Sequence, residues 1–151
     1  MLIGLPGSGK STWAQENKDK YDVLYSYDVY AKRHSHSFPE YKTIDHILNK
    51  IANDLLKGKS VCYDSTNINY KKRKEVIDFI RQRGIKCEII GISFTTNIDT
   101  CIIRDKNRED HTVGSTIIRV YSRMYQKPIL EEGFNSIIVI NNSIVDNIIL
   151  S

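Results

Sequence analysis

Apolar residues recur along this chain with two periods. Between Tyr41 and Lys57, the residues Ile44, Ile47, Leu48, Ile51 and Leu55 fall every three or four positions. That spacing predicts a helix buried along one face and ended by Gly58. The same pattern predicts helices over Tyr70 to Arg83, ended by Gly84, over Ile98 to Lys106 and over Ser115 to Tyr125. Between them lie short apolar runs: Val23 to Ser26, "SVCYD" at 60–64, "KCEIIGISF" at 86–94 and Ser136 to Ile140. The run at 86–94 is the longest, and it is apolar through its middle as a buried central strand should be. Strands alternating with helices predict an α/β fold, a parallel sheet sandwiched between helices. Ligands in such folds bind beyond the carboxyl ends of the strands. Polar residues that directly follow a strand are therefore the first places to look for chemistry.

The first such segment comes almost at once. After the apolar start Met1 to Ile3, the eight residues Gly4-Leu5-Pro6-Gly7-Ser8-Gly9-Lys10-Ser11 fit G-x-x-x-x-G-K-[ST], and the helix-competent stretch Thr12 to Lys20 follows. An apolar run, a glycine loop and a helix in that order are the context of a phosphate-binding loop. Gly4, Gly7 and Gly9 allow the backbone to approach a phosphate with no Cβ in the way. Successive N–H groups at the start of the helix then form an anion nest. Lys10 is expected on the β- and γ-phosphates and the Ser11 hydroxyl on Mg²⁺. A leading strand of three or four residues is short for a buried strand, which leaves open a start codon upstream of Met1 or a shortened chain.

Composition narrows the class. At 151 residues the chain is expected to form one domain, residues 1–151, and no repeat or low-complexity linker marks a second. Hydrophobic content of 40% and charged content of 26% are ordinary for a soluble protein. Apolar runs such as "SIIVI" are too short to cross a bilayer, and no charged leader opens the chain. Cys62, Cys87 and Cys101 are odd in number, form no C-x-x-C pair and read as reduced, buried cysteines of a cytoplasmic protein. His34, His36 and His111 have no metal-like spacing and read as surface residues. The net charge of +4 permits an anionic substrate. Lys71 to Lys86 holds seven basic and two acidic residues, which reads equally as a solvated helix face or a phosphate-binding stripe.

The loop alone serves switches, motors and kinases. A guanine-reading N-K-x-D is absent: Asn49-Lys50 is followed by Ala52 where the aspartate belongs. An oligomeric motor needs more chain than this. Three segments after strands carry the remaining chemistry. "SYDVYAKR" puts Asp28 at a strand's carboxyl end, either as a helix N-cap or as a base accepting a proton from an attacking hydroxyl. "YDSTNINYKKR" puts Asp64 where an acid meets Mg²⁺ or its waters, with Ser65, Thr66 and Asn67 in the turn behind it. "CIIRDKNREDH" spaces Arg104 and Arg108 four apart on one helix face. They suit surface pairs with Asp105 or Glu109, or a lid that closes over a transferring phosphate.

These segments together resemble the polynucleotide 5′-kinases of phage and bacterial RNA-repair systems. The resemblance runs from "GLPGSGKSTWA" through "DSTNINYKKR" to "RDKNR" and "IIRVYSRMY", most of the chain. It implies a three-layer P-loop kinase fold, a parallel sheet flanked by helices with a short helical lid. It also implies transfer of the γ-phosphoryl group of ATP, with Mg²⁺, to the 5′-hydroxyl end of a nucleic acid. The nucleotide would rest on Gly4, Pro6, Gly7, Ser8, Gly9, Lys10, Ser11 and Thr12, with Arg104 alongside, and the metal on Ser11 and Asp64. Asp28 falls on the family's general base and Arg108 on its lid arginine, while Asp64, Thr66, Asn67 and Arg73 fall on the acceptor side. Two departures stand out. The family's arginine three residues after the base, which binds the acceptor's 3′-side phosphate, is here Ala31, followed by Lys32 and Arg33. The D-x-D-G-T signature of an attached phosphatase is absent from these residues. Two other readings stay open: a kinase of the same fold acting on a nucleoside, sugar or antibiotic, and an ATP-binding module without transfer.

Overall fold

The computed structural model describes residues 1–34, 40–109 and 112–141, so His36 and His111 lie outside the described residues. Five parallel strands form one sheet: β1 (Leu2–Ile3), β2 (Val23–Ser26), β3 (Val61–Asp64), β4 (Ile90–Phe94) and β5 (Ser136–Ile140). Their order is β2-β3-β1-β4-β5. The central position therefore goes to the shortest strand, β1, and not to the 86–94 run as its length suggests. Leu2 pairs with Asp64 on one side and Ile92 on the other, and Ile3 pairs with Ser93.

Alternation along these strands sorts side chains onto two faces. Ile3 and Tyr63 face one side, where α3 (Glu40–Leu56) contributes Ile47, Leu48 and Ile51 and α4 (Tyr70–Gln82) contributes Val76, Ile77 and Ile80. Leu2, Cys62 and Ile92 face the other side and pack on Ala14 and Trp13 of α1 (Lys10–Glu16). The result is the expected three-layer fold. A third apolar cluster lies at the carboxyl end of the sheet, where α5 (Ile98–Lys106) and α6 (Ser115–Met124) bring Cys101 and Ile118 onto Leu5 and Ile68. This pair, which the resemblance implies as a lid, packs at the strand ends rather than on a sheet face. No helix among the described residues is long and apolar enough to cross a membrane.

The bounds of β2, α5 and β5 fall where the sequence pattern puts them. Other elements differ for identifiable reasons. Residues 86–89 are not strand, because β4 finds its ladder partners only from Ile90, opposite Ser136. Ile89 instead donates its backbone N–H to the Asn135 side chain (2.7 Å) and buries its own side chain. The first helix stops at Glu16, and a short 3₁₀ turn covers Lys18–Lys20. Tyr27–His34 forms a further helix, α2, directly after β2.

Arg73 corrects a sequence expectation. The resemblance puts it on the acceptor side, yet its side chain is 0% exposed. Its guanidinium grips Glu132 through two bonds of 2.7 Å and donates to the Asn67 carbonyl (3.0 Å). Glu132 also accepts from the Ile129 backbone (3.1 Å). The pair ties α4 and the loop after β3 to the segment ahead of β5, so Arg73 supports the floor of the site without reaching it. Removing one member of a buried pair strands the other charge, at a cost of about 3–5 kcal/mol, whereas replacing both by apolar groups is far milder. Arg73→Ala is therefore expected to lower unfolding free energy by about that much in urea titration. The double change Arg73→Met with Glu132→Leu should recover most of it; an Arg73→Ala protein of parental stability would contradict the pairing.

Candidate active site

The loop between β1 and α1 is held from three sides. Gly4 donates its N–H to the Thr66 carbonyl (2.9 Å), and the Asn67 side chain donates to the Leu2 carbonyl (2.8 Å). Asn67 achieves this in the left-handed region, φ 46, which asparagine tolerates better than most residues. On the lid side, the Thr96 hydroxyl donates to the Ser8 carbonyl (2.8 Å). Gly7, at φ +79, lies so close to α5 that a Cβ there would overlap the Cys101 carbonyl. Gly9 caps α1 in the left-handed conformation, φ 101.

Lys10 is 8% exposed, and its ammonium turns back into the loop. Nζ donates to the carbonyls of Gly4 (3.0 Å) and Leu5 (2.8 Å) and lies 3.5 Å from the Ser8 hydroxyl. Burial lowers its pKa to about 8, opposed chiefly by the attraction of Asp64. A buried cation whose close partners are neutral oxygens fits an incoming polyphosphate. Asp64 ends β3, is 7% exposed, and accepts from the Ser11 hydroxyl (3.0 Å). Its carboxyl is pushed up by burial, while Lys10 and Ser11 pull it down. Among the described residues no three His, Cys, Asp or Glu side chains gather as a metal site. One hydroxyl and one carboxylate nevertheless fit Mg²⁺, which keeps several waters and takes phosphate oxygens as ligands.

A cleft of about 990 Å³ opens over the loop. Pro6, Lys10, Ser11, Asp28, Asp64, Thr66, Asn67 and Arg108 all line it. Asp28 enters from the first turn of α2, exposed; it is the second residue of the helix and so lies past the N-cap position. Arg108 enters from the turn beyond the end of α5. It is not on the same helix face as Arg104, because α5 ends at Lys106 with Asn107 as its cap. Arg104 stays half-buried on α5 and does not line the cleft. Thr12 is exposed on α1. Asn67 borders the cleft but directs its amide into the Leu2 bond, so its part there is structural.

Several residues that shape the site have no role assigned to them by spacing or resemblance. Beyond Asp28 the wall is built by Tyr27, Ile44, Leu48, Tyr63, Val76 and Phe79, with Asp45, Lys72 and Glu75 among them. Most of the basic run is engaged elsewhere: Lys74 pairs with Asp78, Arg81 donates to the Cys87 carbonyl (2.8 Å) and Arg83 to the Phe79 carbonyl (3.2 Å). Lys72 is the member of that run that lines the cleft. Asp105, within the "RDKNR" segment, reads in the sequence only as a surface partner for an arginine, and the structure buries it. It is 2% exposed, and the sequence does carry a signal for it: a carboxylate in the last turn of a helix opposes the helix dipole and needs a reason to be there.

Comparison with known proteins agrees with this architecture. Residues 1–128 match the family model of the AAA domain. The chain belongs to that family. A stretch of an Arabidopsis thaliana protein named transcription factor bHLH140 is 30% identical over 155 residues, covering 91% of this chain. The chain spans only 15% of that protein's length. Among solved structures, a Chloroflexus aurantiacus protein described as a kinase superposes with TM-score 0.74 at 16% identity, covering 99% of this chain and 89% of that one. A gluconokinase from Sinorhizobium meliloti (TM-score 0.60, 14% identity, 93% and 79% covered) and a sugar kinase from Janibacter (0.60, 16%, 93% and 82%) share the fold too. The AAA domain of this chain thus has the P-loop kinase fold.

The Lys10 pKa sets a pH signature. In the free protein the ammonium loses its proton near pH 8, whereas a bound polyphosphate favours the charged form. Affinity for a nucleotide's polyphosphate is thus expected to be full well below pH 8 and to fall as pH rises through it, by at most about tenfold per unit. Calorimetric titration between pH 7 and 9.5 should show this fall, and Lys10→Met should bind weakly with a flat profile. A parental profile that is flat over that range would contradict the buried cation.

Proposed function

We propose that this protein transfers the γ-phosphoryl group of ATP to a hydroxyl acceptor, and that the acceptor is the 5′-hydroxyl end of a polynucleotide. The observation that carries the reading is the convergence of Lys10, Ser11, Asp28, Asp64 and Arg108 on one cleft. A non-transferring ATP module has no use for Asp28 and Arg108 facing the phosphate loop. The acceptor oxygen forms its bond to the γ-phosphorus as the bond from that phosphorus to the β,γ-bridging oxygen breaks. The hydroxyl proton passes to the Asp28 carboxylate, and ADP leaves with the bridging oxygen. Lys10 neutralises the β- and γ-phosphate oxygens, and Arg108 stabilises charge on the phosphoryl group in flight. Mg²⁺, held by Ser11 and Asp64, would supply further neutralisation of the same oxygens.

The acceptor half of the cleft supports a nucleotide. Ile44, Leu48, Val76 and Phe79 with the rings of Tyr27 and Tyr63 offer apolar and aromatic surface, which suits a nucleobase. The second reading is a polyol acceptor. The sugar-kinase neighbours share the fold, and the carboxylates of Asp45 and Glu75 in the same wall could accept from sugar hydroxyls. Labelled ATP with a panel of 5′-hydroxyl oligonucleotides, nucleosides and sugars decides between them. Label is expected on the oligonucleotides; label on sugars alone would give the site to the second reading. With the preferred acceptor, Asp28→Asn should lower turnover by about 10²–10⁴ and leave ATP affinity unchanged. Near-parental turnover would remove Asp28 from the chemistry.

Lys72 is the cation on that side for the acceptor's phosphate. Lys32 and Arg33 follow Ala31 but do not line the cleft, and Lys72 does. A bond to a charged group contributes about 1.5–3 kcal/mol, so Lys72→Ala should raise the KM of a 3′-phosphorylated nucleotide acceptor about ten- to a hundredfold. The KM of the bare nucleoside should not move. Ala31→Arg should sharpen the preference for the phosphorylated acceptor, and equal KM changes for both acceptors in Lys72→Ala would rule that contact out.

A further inference from the structure

Asp105 does more than end a helix. Its carboxylate, 2% exposed, accepts the Val113 N–H at both oxygens (3.0 and 3.1 Å) and the Gly114 N–H at one (2.8 Å). Gly114 is the residue that starts α6, at φ 94. Asp105 thereby fastens the start of α6 to the end of α5 across the residues between them. Arg108 sits inside that span. Its N–H donates to the Asp105 carbonyl (3.2 Å), and its Nη1 lies 4.0 Å from Asp105 Oδ1.

That last distance decides what the pair can do. At 4.0 Å the charges attract, but the guanidinium is outside hydrogen-bond reach of the carboxylate. The carboxylate's close acceptor positions go to Val113 and Gly114, so the planar N–H groups of Arg108 are not drawn off by their own ion-pair partner. We propose that Asp105 is a positioning residue for phosphoryl transfer: it fixes the turn that carries Arg108 and orients the guanidinium toward the cleft while leaving its N–H fork for phosphoryl oxygens. Other side chains would fail in opposite ways. A neutral one removes the attraction, and a longer carboxylate brings the guanidinium into a direct bond that competes with phosphate. Both Lys10 and Asp64 face the same guanidinium electrostatically, so its placement also sets the charge balance over the loop.

This inference rests on the role assigned to Arg108, and the test separates the two. ADP with aluminium fluoride, a mimic of the transferring phosphoryl group, binds the phosphate loop without any acceptor. Its affinity and that of ADP alone are measured by calorimetry for the parent, Asp105→Asn, Arg108→Ala and the double variant. Asp105→Asn should weaken the mimic by up to about a hundredfold, the usual cost of a misplaced group, with ADP affinity within about twofold, and the double variant should bind no worse than Arg108→Ala. An Arg108→Ala protein with parental affinity for the mimic ends the Arg108 role and this inference with it. If Arg108→Ala weakens the mimic and Asp105→Asn does not, the Arg108 role stands and Asp105 positions nothing. Independent, additive losses, or an equal loss of ADP affinity, would make Asp105 a fold residue only. Should Asp105→Asn fail to fold, Asp105→Glu takes its place in the same cycle, with the same loss expected only while Arg108 is present.

Discussion

A single positive charge, withdrawn from water at the carboxyl end of the sheet, sets the terms for the rest of this molecule. The Lys10 ammonium is tolerated there because the loop offers it the carbonyls of Gly4 and Leu5 and the edge of Ser8. Those oxygens point inward only if the chain turns immediately after β1, and the turn is secured from outside by Thr66, Asn67 and Thr96. This explains how a two-residue strand can occupy the centre of a five-stranded sheet. Its own ladder is minimal, and the contacts of the loop that follows it supply what the ladder lacks.

Elements with a complete local signal are legible in the amino-acid pattern alone. The helix at Ile98–Lys106 and the strands at Val23–Ser26 and Ser136–Ile140 have both a consistent period and their own start and stop residues. The strand within 86–94 is shorter than its composition suggests, because strand length depends on where a neighbour begins, and β5 begins at Ser136. The site divides in the same way. Lys10 and Ser11 come from one motif and Asp64 from the end of a strand, and the fold brings the Ser11 hydroxyl onto the Asp64 carboxylate. Arg73 has the same residue type and neighbourhood as a phosphate ligand, but its partner Glu132 is 59 positions away, a contact that no local pattern encodes. The basic run divides differently. Partners within four to six positions hold Lys74, Arg81 and Arg83, and only the packing of α4 decides that Lys72 is the one left at the cleft.

The fold and the family leave the acceptor to the wall of the cleft. A gluconokinase and a sugar kinase share this fold over most of its length, so the fold alone does not identify what the cleft accepts. The side chains of α2, α3 and α4 that line the cleft are mixed, with Tyr27, Ile44, Leu48, Val76 and Phe79 set among Asp28, Asp45, Lys72 and Glu75. On the function proposed above, the phosphate loop with Lys10 holds the donor, and side chains of α2, α3 and α4 meet the acceptor.

The contact between Gly7 and the Cys101 carbonyl limits change at the loop. Backbone meets backbone there, so no side-chain substitution on α5 can make room for a larger residue in the loop, and no substitution at position 7 is small enough to be neutral. The same helix carries Asp105 four residues further on. Any drift that moved α5 away from the loop would also carry off the turn that presents Arg108. The glycine loop and the turn that carries Arg108 are therefore one mechanical unit, coupled through α5.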